Sequence, residues 1–368
     1  MAKAQETVLE INLKNLEHNY NYLRSKLSRN TKLMAVVKAY AYGNDAITVA
    51  KHLEELNVDY FAVAYADEGA VLREAGIKTP ILVLHPQAVN LENIIDYKLE
   101  PSIYSHNILD QFLELAHKKK LDDYPVHIKF NTGLNRLGFN KSDVDVLIKK
   151  IKSLSVIKIA SLFSHLAASE DLNEKTFSEN QITSFQEICE GIIKGLNKEP
   201  LIHMCNTSGV LNYPNAHFDM VRSGIGLYGF GNSEKEKKNF KPVATLKSII
   251  SQIHHINKGE TVGYNRAYKS SQQERTATIP IGHADGISRF YGNKNGYVVI
   301  NGNKAPIVGN VCMDMIMVNV SGIDCNEGDE VIFFNEEYTV EALAETINTI
   351  SYELIAAISQ RVKRLIIK

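Results

Sequence analysis

The chain has 368 residues, 44% of them hydrophobic and 23% charged, and its formal net charge at pH 7 is −1. This composition is that of a soluble globular protein, and the length predicts two domains. Without a long basic run or a long apolar run, nucleic-acid binding, membrane binding and a membrane span receive no support. The four cysteines are far apart and form no CxxC pair, which favours free thiols in a cytoplasmic protein, and we expect no metal site.

From residue 8 to about residue 230 the hydrophobic pattern alternates between two periods. A strand at 8–13 leads into a helix that reaches about residue 27, and eight short apolar runs then predict eight strands, most of them separated by helical spacing. These strands are predicted at 33–37, 60–64, 81–84, 101–104, 126–130, 159–164, 201–205 and 220–222. Eight strand–helix units in about 200 residues predict an α/β fold, a (β/α)8 TIM-like barrel. The alternatives are a doubly wound sheet or a miscounted fourth strand.

Three of the intervening helices have readable signals. Asp67 is predicted to cap one helix and Gly76 to end it. Helical spacing predicts two more over 144–154 and 176–196.

The pattern changes after about Gly231. Residues 233–239 are polar and predict a linker, and closely spaced strands follow at 245–256, 275–281, 297–300, 306–308 and 330–334. Asn301 and Gly302 lie where a hairpin turn is expected, and one late helix is predicted over 340–349. We therefore predict a barrel domain over 1–235 and a mostly β C-terminal domain over 236–368, with the first strand a candidate to pack with the β domain.

Lys38 stands at the end of the first of the eight runs, directly before a turn that Gly43 closes. The carboxyl ends of barrel strands carry the chemistry of this fold. Burial lowers the pKa of a lysine, which then suits it to form a Schiff base with a carbonyl. For Lys38 taken alone, an ordinary strand-end lysine reaching for water is the simpler interpretation.

Polar, glycine-bearing loops follow the seventh and eighth runs, at Asn206–Thr207 and at Arg222–Gly226. Loops at these two positions commonly bind phosphate in barrels, through backbone N–H groups and hydroxyls. A reactive lysine and a phosphate site on one rim are the layout expected for pyridoxal 5'-phosphate (PLP). Each loop alone could be an ordinary connection, but the set in barrel order favours a cofactor site.

Seven stretches resemble one family, alanine racemase, and they span nearly the whole chain. They are 35–43 (AVVKAYAYG), 129–139 (KFNTGLNRLGF), 203–207 (HMCNT), 221–229 (VRSGIGLYG), 284–286 (ADG), 312–314 (CMD) and 350–353 (ISYE). The resemblance implies a PLP enzyme that interconverts L-alanine and D-alanine by two-base α-proton transfer on a PLP aldimine and supplies D-alanine for peptidoglycan synthesis. It also implies a homodimer whose active sites borrow residues from the partner.

The resemblance assigns roles by position. Lys38 would hold PLP and act as one base, and Tyr264 from the partner chain would act as the other. Because a free tyrosine is a weak base near neutrality, Tyr264 would depend on a network that His165, Arg222 and His203 supply. Arg222 would face the pyridine nitrogen and donate to it without readily giving up its proton.

Further positions are implied for the cofactor and the substrate. Arg136 would contact the PLP phenolate and the substrate carboxylate, which the backbone N–H of Met313 would also bind. Lys129 occupies the position that many members carbamylate, although pairing with nearby carboxylates is an equal alternative. Residues implied to bind the cofactor, mostly at its phosphate, are Tyr42, Asn206, Thr207, Gly224, Ile225 and Tyr352.

The chain departs from the family pattern at several positions. His283 and Asn310 fall where the family lines the substrate entry path, so they bear on substrate range and turnover and leave the chemistry intact. Thr207 keeps the hydroxyl of a usual serine. The other departures are Tyr40, Asn44, Asp45, Asn131 and Ser223.

Two other functions were weighed against the racemase. One is a different PLP enzyme of the same two-domain fold, either an amino-acid decarboxylase or a serine racemase. Decarboxylases of this fold place a glutamate at the pyridine nitrogen, so Arg222 argues against a decarboxylase. The other is a non-catalytic PLP-binding protein, against which the β domain and Tyr264 argue.

Overall fold

The computed structural model describes residues 6–152 and 154–368. Residues 1–5, where the predicted barrel domain begins, and Ser153, inside the helix predicted over 144–154, lie outside the described residues. The chain folds into two compact units. The barrel unit holds residues 17–39 and 46–240, and the β unit holds the described residues up to Leu16, residues 40–45 and residues 241–368. The domain boundary at residue 235 stays a prediction.

Eight parallel strands of the barrel unit close into a barrel. The first strand of the chain, β1 (Val8–Asn12), is outside this barrel. The barrel strands are β2 (Lys32–Val36), β3 (Tyr60–Val63), β4 (Ile81–Val83), β5 (Glu100–Ile103), β6 (Tyr124–Lys129), β7 (Ile157–Phe163), β8 (Leu201–His203) and β9 (Met220–Ser223). Closure pairs β9 with β2, where Leu33 lies opposite Val221. The predicted TIM-like barrel is confirmed, and its doubtful fourth strand is present as β5.

Helices connect the barrel strands and continue into the β unit. They are α1 (Leu13–Ser25), α2 (Lys38–Tyr42), α3 (Ala46–Glu55), α4 (Ala66–Glu74), α5 (Leu91–Asp96), α6 (His106–Lys118), α7 (Val144–Ile151), α8 (Lys175–Leu196), α9 (Thr207–Asn212), α10 (Glu234–Lys237), α11 (Val340–Glu345) and α12 (Ser351–Ala357). No helix in the described part of the chain combines the length and apolarity needed to cross a membrane.

Two local predictions in the barrel unit are corrected. Asp67 does not cap α4, because the helix begins at Ala66 with Tyr65 at the cap position, and the Glu68 carboxylate accepts the N–H of Tyr65 at 3.2 Å. The predicted linker over 233–239 contains α10, since the Ser233 hydroxyl accepts the N–H of Glu236 at 3.2 Å and so caps a helical turn. The prediction for Gly76 is confirmed, as its φ of +94° follows the end of α4.

The β unit is built on a nine-stranded sheet. Its strands are β10 (Ala244–Ile249), β11 (Gln252–Ile256), β14 (Glu274–Ile279), β15 (Tyr297–Ile300), β16 (Asn303–Val308), β17 (Ile316–Asn319), β18 (Glu330–Phe334) and β19 (Lys363–Ile367), together with β1; the short pair β12 (Thr261–Val262) and β13 (Tyr268–Lys269) stands apart. The order is β11-β14-β17-β16-β15-β18-β10-β1-β19. The predicted hairpin at Asn301–Gly302 joins β15 to β16, with φ of +47° and +76°.

Several elements of the β unit differ from the prediction. The strand predicted over 245–256 is two strands, because β10 pairs with β1 and β18 whereas β11 pairs with β14. The helix predicted over 340–349 ends at Glu345, and α12 follows it. The strands β12, β13, β17 and β19 were not predicted.

Candidate active site

Lys38 is separated from β2 by one residue, Val37, and the β2 residues from Leu33 to Val36 are buried. The N–H of Val37 donates to the Ala62 carbonyl on β3 at 2.9 Å, so the chain is held to the barrel up to the residue before the lysine. Burial, and secondly the charge of Arg136, lower the pKa of Lys38, while Glu68 opposes them. A lysine in this state has an enlarged neutral amine fraction, which is the nucleophilic form.

The chain turns sharply after Lys38. The four residues from Ala39 to Tyr42 have φ between +51° and +56°, a left-handed region that costs free energy for residues other than glycine. On the barrel side Glu68 holds the start of this turn, since its carboxylate accepts the N–H of Ala39 at 2.6 Å and that of Ala64 at 2.7 Å. Glu68 was missed in the sequence, because the cap position holds Tyr65 and not the serine or threonine that marks a capping box.

Arg222, on β9, is held by four hydrogen bonds. Its guanidinium donates to the His203 Nδ1 at 2.6 Å and to the His165 Nδ1 at 3.0 Å, and it also donates to the carbonyls of Ser164 at 2.7 Å and Met204 at 3.1 Å. Burial lowers the pKa of Arg222 to about 10, so the guanidinium remains charged at neutral pH. Burial and Arg222 hold the pKa of both histidines well below its ordinary value, and each imidazole is therefore neutral.

Cations dominate this end of the barrel. Burial, and secondly the charges of Arg136, Arg222 and Lys38, lower the pKa of Lys129 to about 8. Lys129 and Arg222 both lie over the Phe163 ring, at 5.7 and 5.4 Å from its centroid. Arg136 has an exposed side chain. Such a cluster is suited to bind anions such as a phosphate group or a carboxylate.

The loops after β8 and β9 meet through hydroxyl groups. Thr207, the first residue of α9, has its hydroxyl 3.0 Å from that of Ser223, and it accepts the N–H of Gly226 at 3.3 Å. The Asn206 side chain caps α9 by accepting the N–H of Gly209 at 2.9 Å. Gly224 and Ile225 begin a short 3-10 turn, and Tyr228 at its end donates to the Val36 carbonyl at 3.0 Å. These contacts fix the predicted phosphate loops to each other and to the strand that carries Lys38.

Four of the predicted site residues belong to the β unit. Two of them, Tyr42 and Tyr352, lie together, with ring centroids 6.0 Å apart. Burial, and secondly Tyr352, raise the pKa of Tyr42 well above its ordinary range, so its hydroxyl is a hydrogen-bond donor at neutral pH. The turn that carries Tyr42 ends at Gly43, where φ is +82° and a Cβ would lie 1.9 Å from the Ile355 carbonyl oxygen, which makes glycine necessary there.

The other two, Tyr264 and Met313, are presented on the surface of the β unit. Tyr264 is 74% exposed and Met313 58% exposed. Asn310, one of the departures from the family pattern, donates from its side chain to the Tyr264 carbonyl at 3.2 Å. The Met313 carbonyl accepts the N–H of Ala284 at 3.0 Å, which ties the loop to the 284–286 motif. Both residues are therefore held by their backbones and extend their side chains outwards.

Family comparisons match both halves of the chain. Residues 11–231 match the alanine racemase N-terminal domain, and residues 243–366 match the alanine racemase C-terminal domain. The chain belongs to the alanine racemase family. Alanine racemase 1 of Clostridium acetobutylicum is 36% identical over 98% of this chain and 95% of its own length. The alanine racemase of Thermodesulfovibrio yellowstonii is 37% identical over 96% of both chains.

Solved structures of alanine racemases have the same fold. The enzyme of Clostridium difficile 630 superposes with a TM-score of 0.92 at 34% identity, covering 99% of this chain and 96% of its own. The Bartonella henselae alanine racemase, a structure with covalently bound pyridoxal phosphate, gives a TM-score of 0.89 at 29% identity over 99% and 100% of the two chains. The expected family and fold are therefore confirmed.

Alanine racemases are PLP-dependent enzymes, and the donors present in this chain fit that cofactor. The barrel unit offers a lysine with a lowered pKa for its aldehyde, and a guanidinium that can donate to its ring nitrogen. Hydroxyl and backbone donors at Thr207 and Ile225 lie in loops suited to a phosphate, and several cations balance its charge. The residues implied by the alanine racemase resemblance therefore lie on two units, ten in the barrel unit and four in the β unit.

Proposed function

We propose that this protein interconverts L-alanine and D-alanine with PLP as its cofactor and so supplies D-alanine for peptidoglycan synthesis. The observation that carries the proposal is Lys38, an amine with a lowered pKa at the end of a barrel strand, in a chain that matches alanine racemases over nearly its whole length. We also propose a cytoplasmic location, which the four free cysteines support.

Two residues would move the α-proton. PLP, when bound, withdraws electrons from the attached amino acid and so makes its α-proton acidic. Lys38 would hold the cofactor and then, as a neutral amine, take or return the proton on one face of the α-carbon. The partner's Tyr264 would do the same on the opposite face through its phenol oxygen. Proton removal on one face and return on the other is what inversion requires.

Arg222 would determine how strongly the ring nitrogen is engaged. Its four protein hydrogen bonds fix the guanidinium, and it stays charged at neutral pH. It can therefore donate a hydrogen bond to that nitrogen without transferring the proton. We infer that Arg222 limits electron withdrawal by the ring and so favours simple proton return over transamination.

Binding would be divided among the remaining predicted residues. Arg136 would pair with the substrate carboxylate and contact the cofactor phenolate, as its exposed, charged side chain supports. The backbone N–H of Met313 from the partner would bind the same carboxylate. His165 and Asn206 would support the cofactor through Arg222 and α9. The proposed phosphate ligands are Tyr42, Thr207, Gly224, Ile225 and Tyr352.

We propose that the working form is a homodimer with shared active sites. Tyr264, Phe290, Met313 and Met315 are large apolar side chains of the β unit, each about half exposed or more. Apolar side chains grouped on one folded unit commonly mark a protein–protein contact. Since Tyr264 and Met313 are among them, a partner covering this surface would receive the second base and the carboxylate ligand.

Lys129 is proposed to carry a carbamate. Its pKa of about 8 leaves part of the amine neutral at physiological pH, and the neutral amine adds to carbon dioxide with release of one proton. The charges that lower this pKa are all cationic, so a carbamate anion would be paired with Arg136. In the described part of the chain Lys129 forms no salt bridge with a carboxylate, which favours this proposal over the alternative of an ion pair.

A labelling experiment tests the carbamate. With ¹³C-bicarbonate at pH 8 to 9, we expect a carbamate carbon signal in the NMR spectrum of the wild-type protein and of Lys158→Ala, which removes an exposed lysine of β7. The signal should be absent from Lys129→Ala. An unchanged signal in Lys129→Ala, or none in the wild type, contradicts the proposal.

Proton exchange tests the proposed activity itself. Holoenzyme in deuterated water should remove both the optical rotation and the α-proton signal of L-alanine, because the proton is lost on one face and a deuteron returns on the other. A parallel sample with L-serine defines the substrate range, and release of carbon dioxide from basic amino acids would indicate a decarboxylase. No exchange with L-alanine, despite cofactor bound to Lys38, would contradict racemisation.

A further inference from the structure

Three buried polar side chains of the barrel strands, to which no role has been assigned above, are joined by hydrogen bonds. They are Glu100 on β5, His127 on β6 and Ser161 on β7. His127 and Ser161 are fully buried, and Glu100 is 9% exposed. A histidine or a carboxylate in such surroundings costs free energy unless its hydrogen bonds are made.

These side chains form a continuous series with His203 and Arg222. The Arg222 guanidinium is 2.6 Å from the His203 Nδ1, and the His203 Nε2 is 2.8 Å from the Ser161 hydroxyl. That hydroxyl is 2.6 Å from the His127 Nδ1, and the His127 Nε2 is 2.7 Å from the Glu100 carboxylate. Four hydrogen bonds thus join a buried guanidinium to a buried carboxylate.

The two ends determine the direction of every bond between them. A guanidinium only donates, so the His203 Nδ1 accepts and its proton is on Nε2, which donates to Ser161. The Ser161 hydroxyl then donates to the His127 Nδ1, and the His127 Nε2–H donates to the Glu100 carboxylate, which only accepts. An imidazolium at His127 would place two donors on Ser161 and leave its hydroxyl proton without an acceptor in the series.

We propose that Ser161, His127 and Glu100 are positioning residues for Arg222. Their one-way series of hydrogen bonds fixes the tautomer of His203, and this tautomer presents the Nδ1 that holds the guanidinium. The series therefore has a negative charge at one end, the Glu100 carboxylate, and a buried positive charge at the other end, the Arg222 guanidinium. The inference rests on the proposed role of Arg222 at the cofactor ring nitrogen, which the series would keep in a single orientation.

The tautomers give a test that does not depend on catalysis. In the protein labelled with ¹⁵N-histidine, with and without cofactor, we expect His203 and His127 both to be neutral with the proton on Nε2. An Nδ1–H tautomer at either residue, or an imidazolium at His127, overturns the proposal. Because this readout uses the wild-type protein, it remains decisive even if Ser161 variants fail to fold. Because this readout needs no substrate, it stands or falls separately from the racemase activity.

Variants of Ser161 test the effect on the reaction. Ser161→Ala removes the central link, and we expect kcat to fall by about 10-fold, the lower end of second-layer effects, with little change in KM. His203 should lose its single tautomer, the transaminated fraction should rise, and Ser161→Thr, which keeps the hydroxyl, should restore both. Ser102→Ala is the matched control, since Ser102 is a fully buried serine of β5 whose hydroxyl has no partner in the described structure. A Ser161→Ala enzyme that behaves like Ser102→Ala in tautomer and kcat contradicts the proposal.

Discussion

Tyr264→Phe is expected to slow racemisation by about 10²- to 10⁴-fold in both directions, the range for loss of a general acid–base group. The substitution removes one oxygen atom and keeps the ring, so the contacts that the ring would make in the proposed dimer persist. With Lys38 intact, one enantiomer should still exchange its α-proton with deuterated water while it keeps its configuration. Exchange and optical rotation, measured together for each enantiomer, separate the loss of one base from the loss of the whole site.

Tyr338→Phe provides the matched control in the same unit. Its hydroxyl donates to the Gly302 carbonyl at 3.4 Å, beside the hairpin between β15 and β16, so it should keep wild-type racemisation. A Tyr264→Phe enzyme that is fully active in both directions would exclude Tyr264 as the second base, and the two-base proposal would then have to be abandoned.

Lys38→Ala is expected to lower activity by at least about 10³-fold, because one residue would supply both the cofactor attachment and a base. Borohydride reduction followed by peptide mass spectrometry should find the cofactor on Lys38 in the wild type and on no peptide of the variant. Folding should be retained, since the substitution removes a buried amine whose charged form burial already disfavours. Circular dichroism and a thermal melt check this.

Lys32→Ala removes the lysine at the opposite end of the same strand. Lys32 is partly exposed and lies 3.5 Å from Asp59, a surface ion pair worth little. We expect cofactor attachment and activity like those of the wild type. Cofactor still attached to Lys38→Ala by a reducible bond would show that another amine carries it and would contradict the assignment.

Mixing the two inactive variants, Lys38→Ala and Tyr264→Phe, tests whether the active site is shared between two chains. In a heterodimer, one site would combine the intact Lys38 of one chain with the intact Tyr264 of the other. If the chains reassociate at random, about half of the dimers are heterodimers, and each heterodimer has one working site out of two. About one quarter of the wild-type activity should therefore return. If each chain builds its own site, no activity returns.

The apolar runs predicted the barrel because most of its strands are short and largely buried segments, as in parallel sheets. The β unit was less predictable. Residues 245–256 have one uninterrupted strand pattern, yet residues 250 and 251 divide it between two sets of partners. That division depends on pairing with β14 and β18, far away in sequence. The helix predicted over 340–349 ended early for a related reason, since the spacing does not show where α11 stops and α12 starts.

The site was predictable in a different way. The position of Lys38 at a strand end follows from the pattern alone, whereas the roles of Tyr264 and Met313 came only from the family resemblance. Glu68 and Ser161 were missed because a helix glutamate and a strand serine are ordinary residues locally. A histidine inside an apolar run, as at His127, is the one signal that could have drawn attention to the polar series in the barrel.

The pairing of β1 has a consequence for how the protein is made. Val8 lies beside Lys247 on β10 and beside Lys363 on β19, and both neighbours are synthesised long after β1. The barrel strands between them can assemble earlier, as a newly made chain generally folds one unit at a time. Until β10 has been made, the apolar side chains of β1 have no strand to pair with. We therefore expect ribosome-bound chains that stop before β10 has emerged to be sensitive to proteases and to engage chaperones at β1, with the barrel already protected.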